Sequence, residues 1–216
     1  MSKIKILIVD DHELIRNGIA NQLQNIKDIE IVPEQGSDGT EAIALAKKYK
    51  PEIVLMDLKM PNMDGFEATR KLLQLIPDIK ILILTVCDNK IFPLKLLEAN
   101  AAGYITKDCK PKDLIDAIKK VHAGQRYVSP EIAQKLALNN NSSPLDKLSD
   151  REFQVMNMII KGQKAPQIAA TLHLSAKTVN TYRYRIFEKL EVSSDVELTR
   201  LALQYGIITS NNIESQ

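Results

Sequence analysis

Five times within the first 125 residues a short apolar run is followed by a segment with helical spacing of apolar side chains, and that alternation leaves few folds open. The runs at 4–9, 29–34, 53–56, 79–84 and 102–106 have the length and β-branched content of strands, and the segments 14–24, 38–48, 66–75, 92–99 and 111–123 read as helices. A strand joined to the next through a helix must run parallel to it, with the helices packed on the sheet faces. The unbroken apolar character of 5–9 and 79–84 fits strands covered on both sides. The expectation is an α/β domain over residues 1–125 with a doubly wound, five-stranded parallel sheet.

Two of the predicted strands run straight into acids: 4–9 ends at Asp10 and Asp11, and 53–56 ends at Asp57. In a parallel sheet the carboxyl ends of the strands open onto one crevice, so these carboxylates converge there. Three carboxylates in one crevice repel unless a divalent cation sits among them, and hard oxygen ligands of this kind suit Mg²⁺ shared with a phosphoryl group. A carboxylate can take up a phosphoryl group as an acyl phosphate when cations neutralise the transferring oxygens. Lys107, just after the fifth strand, is placed to pair with such a group, and Thr85, at the end of the fourth, can offer it a hydroxyl.

The rest of this half excludes several enzyme classes. There is no GxxxxGK loop, no GxGxxG after the first strand, and no Cys-His or Ser-His pair placed for hydrolysis. A phosphatase with an aspartate nucleophile usually carries a second acid two residues on as general acid, and that position is Lys59. Storage of a phosphoryl group is therefore expected over turnover, and the chain is read as no enzyme. Lys59 and Cys87, each two residues beyond a pocket residue, are expected to border the path of a hydrolytic water.

Cys87 and Cys109 are the only cysteines, too few and too isolated for a disulfide framework or a zinc site. No basic-then-apolar leader opens the chain and no apolar run approaches the roughly 18 residues of a membrane span. A cytoplasmic protein without a membrane partner is expected.

Residues 126–147 are read as a linker: Ser129 and Pro130 open a short helix as N-cap and first helical residue, and the polar, breaker-rich run 139–144 follows. Beyond it, residues 148–216 show only helical patterns. Ser149 with Glu152, and Ser194 with Glu197, have the spacing of capping boxes. Between these helices, a short helix at 166–172, a turn at His173-Leu174 and a longer helix capped by Ser175 and running to Leu190 form a candidate helix-turn-helix. Residues 153–187 hold five basic side chains (Lys161, Lys164, Lys177, Arg183, Arg185) and no acid, which suits a polyanion partner.

At roughly 100° per residue, Val179, Tyr182, Ile186, Phe187 and Leu190 share the inner face of that longer helix. Lys177, Asn180, Thr181 and Tyr184 fall opposite. Asn180, Thr181 and Tyr184 are the expected base readers in the major groove, with Lys177, Thr178 and Arg185 on phosphates. Arg183 projects inward and is expected to pair with an acid such as Glu152.

The motifs ILIVDDH, IVLMDLKMPNMDG, LILTV and AAGYITKD resemble, in order and spacing, the receiver domain of two-component response regulators, which is CheY/flavodoxin-like. The resemblance implies that Asp57 is the phosphoacceptor and that Asp10, Asp11, Asp57 and the backbone carbonyl of Lys59 form the Mg²⁺ site, Asp10 and Asp11 building its acidic pocket and Asp11, Asp57 and the carbonyl ligating directly. It also implies that Thr85 and Tyr104 form a switch, the ring turning inward as Thr85 moves toward the phosphoryl group.

LSDREFQVMNMI and QIAATLHLSAKTVNTYRYRIFEKL resemble the LuxR-type helix-turn-helix of the NarL/FixJ family. Tyr182 stands where many members carry His. Further likeness, in TVCDNKIFPLKLLEANAAGYITKD and NTYRYRIFEKL, is to the GacA/UvrY/SirA/LetA branch. That branch implies a hybrid sensor histidine kinase of the BarA/GacS type as partner and control of genes for small regulatory RNAs; the expected route is release of an inhibitory contact between the domains together with a homodimer on activation, on an inverted-repeat promoter site. Two readings from other classes are a phosphorelay adaptor, whose helical domain would bind protein, and a hydrolase using Asp57.

Overall fold

The computed structural model describes residues 3–86, 91–137, 143–205, 207 and 208. Cys87 and the run 138–142, which contains most of the Asn-rich linker, lie outside the described residues. The chain folds as two units, Met1–Leu138 and Asn139–Gln216.

The first unit is a single parallel sheet with helices on its faces. Strands β1 (Ile4–Val9), β2 (Ile29–Ile31), β3 (Ile53–Met56), β4 (Lys80–Thr85), β5 (Gly103–Thr106) and β6 (Tyr127–Val128) alternate with helices α1 (Glu13–Leu23), α2 (Gly39–Tyr49), α3 (Gly65–Leu75), α4 (Ile91–Glu98) and α5 (Pro111–His122). Strand order is β2-β1-β3-β4-β5-β6. The chain starts in the middle and winds both ways, so the order reverses beside β1, where a ligand crevice is expected. Every described residue of β3 and β5 is buried, as strands covered on both faces require. Ile6, Ile8, Ile53, Leu55, Leu82 and Ile105 form the core with Leu114, Ile118 and Val121 of α5.

The sheet departs from the sequence reading at both edges. It has six strands where five were expected, because Tyr127 and Val128 add two rungs alongside Gly103 and Tyr104. The expected linker from residue 126 therefore begins as sheet, continues as helix α6 (Pro130–Ala137) with Ile132 buried, and belongs to the first unit up to Leu138. Ser129 holds the start of α6 through its backbone carbonyl, which accepts from Ala133 N–H at 2.9 Å, while its buried hydroxyl has no hydrogen-bond partner among the described residues. At the other edge β2 stops at Ile31: Val32 N–H still donates to Ile6 O at 2.9 Å, but the next bond to β1 comes only from Gly36, whose N–H donates to Ile8 O at 3.0 Å.

In the second unit a 3₁₀ turn (Pro144–Lys147) leads to α7 (Asp150–Ile160), α8 (Ala165–Leu172), α9 (Ala176–Leu190) and α10 (Asp195–Gln204). Ser149 and Glu152 make the reciprocal capping box of α7. At α10 only half of the expected box forms. Ser194 Oγ accepts from Glu197 N–H, but Glu197 reaches back to the amide and hydroxyl of Ser193. Ser175 caps α9, and His173, in the left-handed region at φ 53°, makes the tight turn that separates α8 from α9.

Candidate functional site

The crevice at the carboxyl ends of β1, β3 and β5 gathers the acids. Asp57 N–H donates to Val9 O at 2.9 Å, which fixes the end of β3 beside Asp10. Lys107 N–H donates to Thr85 O at 2.8 Å, bringing the lysine in beside the end of β4. The Lys107 ammonium then bridges the two buried acids, 2.7 Å from Asp10 Oδ2 and 3.0 Å from Asp57 Oδ2. Asp10 Oδ1 accepts from His12 N–H at 2.9 Å, while Oδ2, beside the Lys107 ammonium, accepts no hydrogen bond among the described residues. Ligand atoms of Asp10, Asp11, His12 and Asp57 lie within 4.8 Å of one another.

The sequence reading missed three members of this neighbourhood. His12 Nδ1 stands 2.7 Å from Asp11 Oδ1 and 3.3 Å from Asp10 Oδ1. Its adjacency to the acid pair was the available signal. Arg16 Nη1 donates to the Asp10 carbonyl at 2.5 Å, a clamp on the turn that carries the acids. Asp38, whose contacts are described below, had no signal beyond its suitability as a helix cap.

Electrostatically the crevice is short of positive charge. Burial pushes the Asp57 carboxyl up to about 6; the Asp10 carboxylate adds to the rise, and Lys107 and the Leu58 amide oppose it. The Lys107 ammonium and the Arg16 guanidinium stand among three carboxylates, which leaves the negative charge in excess. The donor set is hard oxygen and the excess charge is anionic, so the residues fit a divalent cation such as Mg²⁺.

Thr85 and Tyr104 are both buried, Thr85 at the carboxyl end of β4 and Tyr104 two rungs further back on β5, opposite Ile83. Tyr104 is 2% exposed, so its ring lies inside the domain. Lys59 is exposed in the loop between β3 and α3. That loop can hug the strand end because Gly65, whose N–H donates to Leu58 O at 3.0 Å, has no side chain; a Cβ there would sit 1.8 Å from Asp57 O.

On α9 the structure separates the two faces that the wheel separates. Val179, Ile186 and Leu190 are buried, Tyr182 and Phe187 half-buried. Lys177, Asn180, Thr181 and Arg185 are exposed, and Tyr184 is 74% exposed, unusual for a large aromatic. Thr178 is half-buried, and its hydroxyl lies 2.8 Å from the Ser175 hydroxyl at the helix cap. The partner expected for Arg183 is corrected. Its guanidinium makes two parallel hydrogen bonds to Asp195 of α10, at 2.9 and 2.8 Å, and stacks over Phe187. Glu152 instead receives Lys189 at 2.6 Å, which leaves Arg183 free to brace α9 against α10.

A doubly wound sheet with a lysine-bridged acidic crevice, followed by a helix-turn-helix unit, defines a receiver joined to a DNA-binding output domain. The comparisons agree: residues 6–119 match the response regulator receiver domain, and residues 146–202 match the bacterial regulatory proteins of the luxR family. The chain belongs to the DNA-binding two-component response regulators of LuxR type. It is 51% identical over 213 residues to response regulator GacA of Pseudomonas syringae pv. syringae (strain B728a), covering 96% of this chain and 99% of the relative. It is 45% identical over 218 residues to response regulator UvrY of Escherichia coli (strain K12), covering 99% and 100%. Among solved structures, response regulator ChrA of a heme-sensing two-component system is similar with a TM-score of 0.56 at 30% identity, covering 96% of this chain and 100% of that one. RcsB from Salmonella enterica serovar Typhimurium, bound to promoter rprA in the presence of phosphomimetic BeF3-, is similar with a TM-score of 0.71 at 25% identity, covering 92% and 98%. No helix among the described residues is long and apolar enough to cross a membrane.

Proposed function

We propose that a sensor histidine kinase of the BarA/GacS kind phosphorylates Asp57, and that the acyl phosphate switches promoter binding by α9. The observation that carries the reading is the Asp57 carboxylate, buried, charge-starved and held 3.0 Å from Lys107. Such a carboxylate is an oxygen nucleophile already paired with the cation that an incoming phosphoryl oxygen would need. Asp11, Asp57 and the Lys59 carbonyl would hold the Mg²⁺, and Asp10, whose Oδ1 accepts from His12 N–H and whose Oδ2 lies beside the Lys107 ammonium, would add charge to the pocket. The metal, when bound, neutralises phosphoryl oxygens during transfer. Lys107 pairs with the transferred group, and Thr85 offers it a hydroxyl from the end of β4.

The output follows from the faces of α9. Asn180, Thr181 and Tyr184 read bases, and Lys177 and Arg185 hold phosphates, with Thr178 contributing at the helix start. Phosphorylation releases the helix-turn-helix domain or dimerises the protein, placing two α9 helices about one helical turn of DNA apart on an inverted repeat. A coupling of about 1 to 3 kcal/mol gives roughly a 5- to 150-fold gain in DNA affinity. Likeness to the response regulators GacA and UvrY extends the proposal to a cytoplasmic protein whose targets are genes for small regulatory RNAs. The site has the parts of a store, and phosphate turnover is not its task.

The test is mass measurement after treatment with acetyl phosphate and Mg²⁺, followed by footprinting of the same sample. One added phosphoryl group on Asp57, with stronger footprints that vanish in Asp57→Asn, is expected. Activation that survives Asp57→Asn refutes the phosphorylation step. Phosphate release far beyond one equivalent would favour a hydrolase, and salt-insensitive DNA binding an adaptor.

A further inference from the structure

The oxygens of the acidic crevice come from two separate stretches, the turn after β1 and the loop after β3. The ladder between β1 and β3 fixes the strands but ends at Asp57. We propose that residues 36–41 bracket these two walls and set the spacing of the crevice, with Asp38 and Asn62 as positioning residues. The inference rests on the Mg²⁺ and phosphoryl reading above.

One arm of the bracket holds β1. Asp10 N–H donates to Gly36 O at 3.0 Å, and Gly36 N–H donates to Ile8 O at 3.0 Å. The other arm holds the loop. Asp38 Oδ1 caps α2 by accepting from the amides of Thr40 and Glu41 at 2.8 and 2.9 Å. Its second oxygen, Oδ2, accepts from Asn62 Nδ2 at 2.8 Å. Beside it Gly39 N–H donates to Met63 O at 2.8 Å, and a Cβ on Gly39 would meet Met63 Cγ at 2.7 Å, so this contact admits no side chain. Within residues 36 to 39, Gly36 thus holds one wall and Asp38 and Gly39 the other.

Capping a helix needs one oxygen, which serine supplies as well as aspartate. The other oxygen of Asp38 goes to an asparagine 24 residues away that lies on an exposed loop at φ 57°. Burial pushes the Asp38 carboxyl up, but the hydrogen bonds from Asn62, Glu41 and Thr40 outweigh it and hold it below the usual range. The bond to Asn62 is therefore charge-assisted, of the stronger kind. With Gly65 tied to Leu58 at the far end, the loop that carries the Lys59 carbonyl is anchored on both sides. Mg²⁺ demands near-ideal octahedral geometry, so a loop free to drift would lose affinity.

The test uses the full chain and Mg²⁺ alone, with dissociation constants from isothermal titration calorimetry. Asn62→Gly removes the bond while accepting the positive φ. Asp38→Ser keeps the cap and loses the second oxygen. Each is expected to weaken Mg²⁺ at least about tenfold, as for other groups that orient ligands. The double variant should be no weaker than the weaker single one, because one bond is lost once. Asp38→Asn should stay near wild type, since the Asn62 amide can turn and accept. Wild-type affinity in Asn62→Gly and Asp38→Ser, or losses that add, would overturn the bracket and leave the phosphoryl reading intact. A wild type that binds no Mg²⁺, or binds it as tightly as Asp57→Asn does, would overturn both.

Discussion

Replacing Asp57 with asparagine should make the receiver more stable, and the gain should depend on pH. The folded-state value of about 6 against an ordinary 3.8 is a rise of roughly two units, and each unit corresponds to about 1.36 kcal/mol. Holding Asp57 ionised in the folded protein therefore costs about 3 kcal/mol, and with 4% of the side chain exposed little of that is screened by solvent. Asparagine has the same shape and no charge. It deprives Lys107 of one of two acids, but that attraction is already contained in the value of about 6 and Asp10 at 2.7 Å keeps the ammonium paired, so the net gain stays at about 3 kcal/mol. Between about pH 4 and pH 6 the folded protein holds a proton that the unfolded chain has released, so wild-type stability falls as pH rises through this window. The advantage of Asp57→Asn should be full at pH 7.5 without divalent cations and gone at pH 4. Urea midpoints of the β1 and β3 peptides, read by pulsed hydrogen exchange, isolate the receiver from the helical unit. Equal midpoints at pH 7.5, or a difference that persists unchanged at pH 4, would refute the electrostatic account. Added Mg²⁺ should narrow the gap by stabilising wild type more.

Other substitutions probe the remaining contacts. Gly65→Ala sets a Cβ 1.8 Å from a backbone oxygen and should cost more than about 4 kcal/mol, seen as loss of cooperative unfolding in the receiver. Glu152→Ala removes a buried acid that pairs with Lys189 and caps α7, and should cost the helical unit about 2 to 4 kcal/mol by urea denaturation. Burial pushes that carboxyl up, but Lys189 and Ser149 outweigh it and hold it low; the stabilisation is thus present above about pH 4.5 and lost as pH falls through the lowered value, a dependence the variant should lack. On α9, Asn180→Ala or Tyr184→Ala should lower sequence discrimination by about 1 to 3 kcal/mol per lost base contact, measured by competition binding. Lys177→Ala should weaken all DNA alike and reduce the salt slope by about one, while Arg183→Ala, whose guanidinium is committed to Asp195, should leave that slope unchanged. Lys59→Asn should alter the decay of the acyl phosphate, followed by intact mass, without changing the footprint.

The apolar runs made β1, β3, β4 and β5 legible, because a strand buried on both faces has to be apolar throughout. The acids that end β1 and β3 were legible for the same reason, as polar residues terminating otherwise unbroken runs. Tyr127 and Val128 were not, since two residues carry no period and pair only because β5 offers them an edge. The helical wheel sent Arg183 inward correctly, but its partner depends on how α10 packs across α9, and Asp195 lies twelve residues away rather than on α7. The Asp38–Asn62 bond was invisible for a related reason. An aspartate before a helix already has a sufficient local explanation, and nothing in spacing announces a second oxygen in use.

The short sixth strand changes what β5 can do. Without Tyr127 and Val128, the strand that carries Tyr104 would be the outer edge of the sheet, with a row of unpaired amides and carbonyls able to recruit a strand from another molecule. Instead Tyr127 N–H donates to Ala102 O at 3.1 Å and Ser129 N–H to Tyr104 O at 3.0 Å, so Tyr104 is stitched into the ladder from the outside as well as from β4. A shift of its backbone would carry with it the segment that leads out of the receiver.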